Sequence, residues 1–110
     1  MTGKMIIQAV NSDAYQLRVT TCDGECILEC EPRQSKTKAI EDVETLRRNV
    51  KEDGRYAVQR NGQGHFAFNF LGESGETIGV SSVFPTPEGL GKAISALKEL
   101  VPLAELVDNT

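Results

Sequence analysis

The stretch "DGECI" at positions 23–27 returns as "SGETI" at 74–78, 51 residues further along the chain. This recurrence constrains the fold more than any other feature, because its surroundings recur in the same order. Shifted by 51, Tyr15, Leu17 and Val19 fall on Phe66, Phe68 and Phe70, and Gly24-Glu25 fall on Gly75-Glu76. Ile27 falls on Ile78, Ser35 on Thr86, Val43 on Ile94, Leu46 on Leu97 and Val50 on Val101, with no gap. Few of these positions are identical. The inference rests instead on each stretch spelling the same supersecondary unit.

The second stretch is the clearer. "HFAFNFL" alternates Phe66, Phe68 and Phe70, the period of two that a half-buried strand requires. "ESG" interrupts it, and "ETIGVSS" resumes with Ile78 and Val80. A three-residue loop Glu73-Ser74-Gly75, with Gly75 left-handed, predicts a hairpin with a glycine bulge. That register sets Phe70 opposite Ile78 and Phe68 opposite Val80, with all five apolar side chains on one face. Thr86 then suits an N-cap and Pro87 a first helical residue. Leu90, Ala93, Ile94, Leu97 and Val101 form one apolar stripe, Pro102 ends the helix, and "AELV" returns as a short strand.

The first stretch repeats the plan: strand 14–21, a turn at Asp23-Gly24, strand 25–30, and a helix from about 36 to 50 with Ile40, Val43, Leu46 and Val50 inward. "RYAVQ" at 55–59 serves both as the closing strand of this copy and as the counterpart of "KMIIQ", the opening strand. No Pro- or Ser-rich linker separates the copies. The expectation is one α+β domain over 1–110, built of two repeats at about 4–58 and about 55–108.

With these residues in view, the chain resembles the YegP-like domain of unknown function. "GHFAFNFLGESGETIGVSSVFPTPEGLGKAISALKEL" and the closing "VDNT" carry the likeness, whereas "LECEPRQS" departs from the Ser-Glu-x-Tyr stretch of that family. The resemblance implies tandem β3-α-β repeats forming one antiparallel sheet, two helices packed on it, and C-terminal strands exchanged between repeats. It supplies no activity, catalytic residue or ligand. Two like units joined covalently also imitate a symmetric dimer, so a pseudo-twofold monomer is expected in preference to a homodimer.

Composition limits the functions. The net charge of -4 opposes a general affinity for nucleic acid or anionic membranes. No apolar run approaches the roughly 20 residues that span a bilayer, and "MTGKMIIQAVNSD" turns polar too early for a signal peptide. Three cysteines, an odd number, fit a reducing compartment, and a cytoplasmic location is expected.

No constellation of catalytic residues emerges. Cys22, Cys26 and Cys30 are spaced C-x3-C-x3-C, whereas metal sites favour C-x2-C pairs and at least four ligands. Cys26 and Cys30 would share one side of a strand about 13 Å apart, too far for one ion, and read as small packed hydrophobes. His65, the single histidine, follows the turn "NGQG" without an orienting partner. "NGQGH" precedes a strand and "PEGLGK" lacks the Lys-Ser/Thr of a phosphate loop; the glycines of the latter suggest close packing of helix on sheet. Catalytic, cofactor-binding and metal residues are therefore assigned to none.

The best basic cluster is Arg47, Arg48 and Lys51 at the end of the first helix, joined by Arg55. Acids within pairing distance favour a solvated helix face. The leading expectation is a non-enzymatic module that binds a protein or assembles with itself. The alternative is weak RNA or polyanion binding through Arg47, Arg48 and Lys51.

Overall fold

The computed structural model describes residues 3–21 and 23–110; Cys22, part of the cysteine spacing, lies outside the described residues. Three strands come first: β1 (Lys4–Asn11), β2 (Ala14–Thr20) and β3 (Cys26–Cys30). Helix α1 (Lys36–Asn49) follows, and a 3-10 turn at Asp53–Arg55 leads into β4 (Tyr56–Arg60), β5 (Phe66–Leu71) and β6 (Thr77–Ser81). Helix α2 (Pro87–Leu100) and β7 (Glu105–Asn109) complete the chain.

Local chemistry sets these boundaries. Ser35 and Thr86 accept bonds from the Lys38 and Gly89 amides, capping helices of 14 residues each. Gly24 and Gly75 have φ of +86° and +85°, the left-handed geometry that closes both hairpins. The loops share one bonding scheme: Gly72 N–H donates to the Glu76 carbonyl and Gly75 N–H to that of Gly72, as Thr21 does to Glu25 and Gly24 to Thr21. Even the isolated bridges, Tyr15 to Arg33 and Phe66 to Phe84, stand 51 residues apart.

All seven strands join one sheet in the order β4-β5-β6-β3-β2-β1-β7. Five neighbouring pairs are antiparallel, but β7 runs parallel to β1, with Lys4 beside Glu105 and Gln8 beside Asn109. The wholly antiparallel sheet expected from the sequence is corrected at this edge. Leu100, at the end of α2, packs against Gly3, where β1 begins, so close that a Cβ on Gly3 would lie 2.4 Å from Leu100 Cδ1. After a short turn the chain starts β7 at the starting end of β1, and both strands run the same way.

The register carries two transverse rows of side chains across the helix-covered face. One runs Met5, Val19, Leu28, Ser81, Phe68, Val58; the other runs Ile7, Leu17, Cys30, Gly79, Phe70, Tyr56. Shifted by 51, each row becomes the other read backwards. Val58 apart, they pack into the core with Val43, Leu46, Leu90 and Leu97 of the helices. At the centre Gly79 lies so close to β3 that a Cβ would come within 3.0 Å of the Glu29 carbonyl oxygen.

Three packing expectations are corrected. Phe70 faces Gly79 and Leu71 faces Thr77, so Ile78 is the extra, bulged residue. The bulge turns Ile78 inward and sends Val80, paired with Asn69, to the opposite face, where it is 39% exposed. On α1 the buried position is Ala39 rather than Ile40, which is 38% exposed. A Cβ on Gly91 would meet no neighbouring segment within 4 Å, and Gly89 sits at the Thr86 cap near Phe84, so the glycines of "PEGLGK" do not serve close packing on the sheet.

Candidate interaction surface

The basic cluster is dispersed by its own bonding. Arg47 donates to the Ala104 carbonyl just before β7. Arg48 pairs with Glu73 at 3.0 Å, and Arg55 donates to Asn49 Oδ1 and the Gly72 carbonyl. Lys51 lines an open groove of about 590 Å³ with Lys98, Glu99, Pro102 and Leu103. The three candidates therefore share a helix end, but two of their guanidinium groups hold neighbouring segments in place.

Polar groups elsewhere on α1 are similarly occupied. Arg33 makes a two-pronged contact with Asp42, at 2.9 and 3.2 Å. Sequence reasoning missed this pair, because only the bridge of Arg33 to Tyr15 and the bend at Gln34-Ser35 set the guanidinium beside the helix. Burial raises the Asp42 carboxyl pKa, and the bond to Arg33 works against that rise. The same bond raises the Arg33 pKa above its ordinary value.

The cysteines are pulled apart by the bulge in β3. Cys26 pairs with Thr20 and Leu28 with Val19, leaving Ile27 as the extra residue. By register Cys26 and Cys30 then fall on opposite faces, which corrects the expectation of one shared side. Cys30 is buried, and burial pushes its thiol pKa far up, the reverse of an activated thiolate. His65 closes the Asn61 turn, its N–H donating to Asn61 Oδ1 at 3.0 Å. Among the described residues no group of three or more His, Cys, Asp or Glu is arranged to hold a metal ion, and no helix is long and apolar enough to cross a membrane.

What stands out is the difference between the two edges of the sheet. At one edge β7 covers β1, setting Leu106 beside Met5 and Asp108 beside Ile7. Lys36 of α1 pairs with Asp108, holding its carboxyl pKa down at about 2. Met5 and Ile7 are 0% and 1% exposed as a result. At the other edge the corresponding residues are Tyr56 and Val58 of β4. Tyr56 is half-buried against Phe68 and Phe70, its hydroxyl donating to the Val50 carbonyl. Lys98 of α2 pairs with Asp53 just before the strand and lies over the Tyr56 ring. Beyond this point the sheet stops, and Val58 is 56% exposed.

Comparison with known proteins places the chain among uncharacterised relatives. No family model matches it. A UPF0339 protein in the ptx operon 5′ region of Stutzerimonas stutzeri is 25% identical over 98% of this chain and 97% of its own. A UPF0339 protein of Pseudomonas aeruginosa is 24% identical over the full length of both. The solution structure of the protein of unknown function yegP from E. coli superposes with a TM-score of 0.92 at 25% identity, covering 100% of this chain and 95% of that one. A UPF0339 protein of Shewanella oneidensis shares the fold, with a TM-score of 0.91 at 21% identity over 98% of this chain and 92% of its own.

Proposed function

The chain is a YegP-like protein of unknown function, and from that premise we propose that it is a non-enzymatic module whose task is to bind another polypeptide. The observation that carries this reading is the unequal treatment of the two sheet edges. β7 guards its edge with Glu105 and Asp108, two acids in five residues, whereas β4 reads Tyr-Ala-Val-Gln-Arg with no proline and one charge, at its end. Charged and irregular edges discourage strand addition, and plain ones invite it.

In this reading the architecture is two copies of a β3-α-β unit, about 4–58 and about 55–108. β7 closes the second copy but lies on the sheet edge of the first, which is the exchange of closing strands that the family resemblance implies. The recurrence of caps, hairpin loops, bridges and side-chain rows at one offset supports it. A cytoplasmic location belongs to the same proposal.

Polyanion binding through Arg47, Arg48 and Lys51 is disfavoured by the bonds that already engage Arg47 and Arg48. The test is affinity capture from native cell extract, with and without nuclease, alongside sedimentation of the free protein. A polypeptide retained after nuclease and displaced by untagged protein supports the proposal. A monomer that retains nothing, or retains only nuclease-sensitive material, ends it.

A further inference from the structure

The interaction reading leaves open which edge is used and what it accepts; the likeness of the two edges answers the first, and the side chains of β4 answer the second. We propose that the outer edge of β4 receives an extended segment of another polypeptide as a parallel strand, with apolar residues opposite Tyr56 and Val58 and an acidic residue opposite Arg60. This deepens the proposed function and rests on it.

The template lies within the molecule. The residues of β1 that meet β7, Met5 and Ile7, correspond at the 51-residue offset to Tyr56 and Val58. β1 receives its neighbour in parallel, and the neighbour's presence coincides with the fall from 56% exposure at Val58 to 1% at Ile7. Backbone directions agree. Phe66 exchanges both its bonds with Phe84, away from β4, and alternation along an antiparallel pair then turns Ala67 and Asn69 toward β4. Their partners Gln59 and Ala57 face inward, so the peptide groups of Val58 and Arg60 point out of the sheet. Tyr56 N–H is taken by the Asp53 carbonyl, which marks where a guest strand starts.

Side chains set the guest's chemistry. Tyr56, Val58 and Arg60 project to the helix-covered face, as their partners Phe70, Phe68 and Phe66 do. Two apolar positions followed by a positive one call for a guest that is apolar, apolar, then acidic at alternate positions. Arg60, lying 5.9 Å from the Phe66 ring centroid, is exposed and available to a carboxylate. A second copy of the chain fits less well. An edge of five residues is about 17 Å long, and a stable protein interface needs on the order of 1,000 Å². A short linear segment suits the site better.

The test uses the full-length protein, isotopically labelled, titrated with a blocked synthetic peptide containing Val-Thr-Val-Thr-Asp and, separately, with the same peptide ending in Lys. Expected is saturable binding of the Asp peptide, with amide shifts centred on β4 and slowed exchange of the Val58 and Arg60 amides. Val58→Lys should weaken it at least tenfold. Arg60→Glu should exchange the preference, favouring the Lys peptide. Binding that maps to β7, or an Arg60→Glu variant that still prefers the Asp peptide, overturns the proposal. So do concentration-dependent β4 shifts without peptide, which would identify a second copy as the occupant. If β4 takes no peptide yet a captured polypeptide survives Val58→Lys, the edge assignment fails while the interaction function stands.

Discussion

The two ends of the sheet are built from corresponding residues and finished differently. At the β1 end an added strand and a lysine–carboxylate clamp turn Met5 and Ile7 into core. At the β4 end the same positions, Tyr56 and Val58, have Lys98 paired with Asp53 nearby, but among the described residues no strand lies beyond. Likeness at the 51-residue offset therefore does not fix burial. What lies one strand further out does, because an edge residue loses water only when a neighbour excludes it.

The sharpest way to break this comparison is to remove the added strand. Ending the chain after Ala104 should expose Met5 and Ile7 and cost on the order of 3–5 kcal/mol, by the transfer of two large side chains to water. Urea unfolding measures it, and a loss below about 1 kcal/mol would mean β7 is not what buries them. Next in size is a paired substitution. Ile7→Ala should cost about 2–4 kcal/mol as a core truncation, whereas Val58→Ala should stay within about 0.5 kcal/mol. Equal costs would erase the distinction between the ends.

A smaller effect tests the likeness instead. Gly24→Ala and Gly75→Ala place a Cβ on left-handed residues in equivalent loops with open space around them. Each should cost about 1 kcal/mol, and the two values should agree closely. A marked inequality would argue against two copies of one unit.

The smallest effect concerns acid. The Asp108 carboxyl, bonded to Lys36 and Thr110, has its pKa lowered to about 2, below its ordinary 3.8. A carboxyl depressed on folding contributes stability above its unfolded value and loses it as pH falls toward the folded one. Asp108→Asn should therefore shrink the stability difference between pH 4 and 2, and the variant and parent should converge only below pH 2. Asp42 acts in the opposite sense: its raised pKa favours the folded state at low pH, and Asp108→Asn leaves that contribution in place.

Much of this molecule was legible from residue order. Thr86-Pro87 and Ser35 announced helix starts, and Gly24 and Gly75 announced left-handed turns, because caps and hairpins depend on a few adjacent atoms. The alternation of Phe66, Phe68 and Phe70 gave β5 and its buried face. The facing register of β6 was not legible. Nothing local distinguishes "ETIGV" with an extra residue at Ile78 from the same stretch without one, and a single bulge moves Val80 to the other face. The candidate surface is half legible: "RYAVQ" spells a strand, but its exposed outer edge is invisible in residue order.

Residue order alone was enough for the helix starts at Ser35 and Thr86, the glycine turns at Gly24 and Gly75, and the core positions Phe68, Phe70, Val43, Leu46, Leu90 and Leu97. Those outcomes follow from periodicity and from bonds between near neighbours. It took the folded arrangement to lay β7 parallel on β1, to hold Arg47 and Arg48 at Ala104 and Glu73, and to leave Val58 56% exposed at an edge that no described strand covers. Each of these depends on where distant segments meet. β4 and β7 each end as a sheet edge, and what lies beside them was settled by the packing of the helices that precede them.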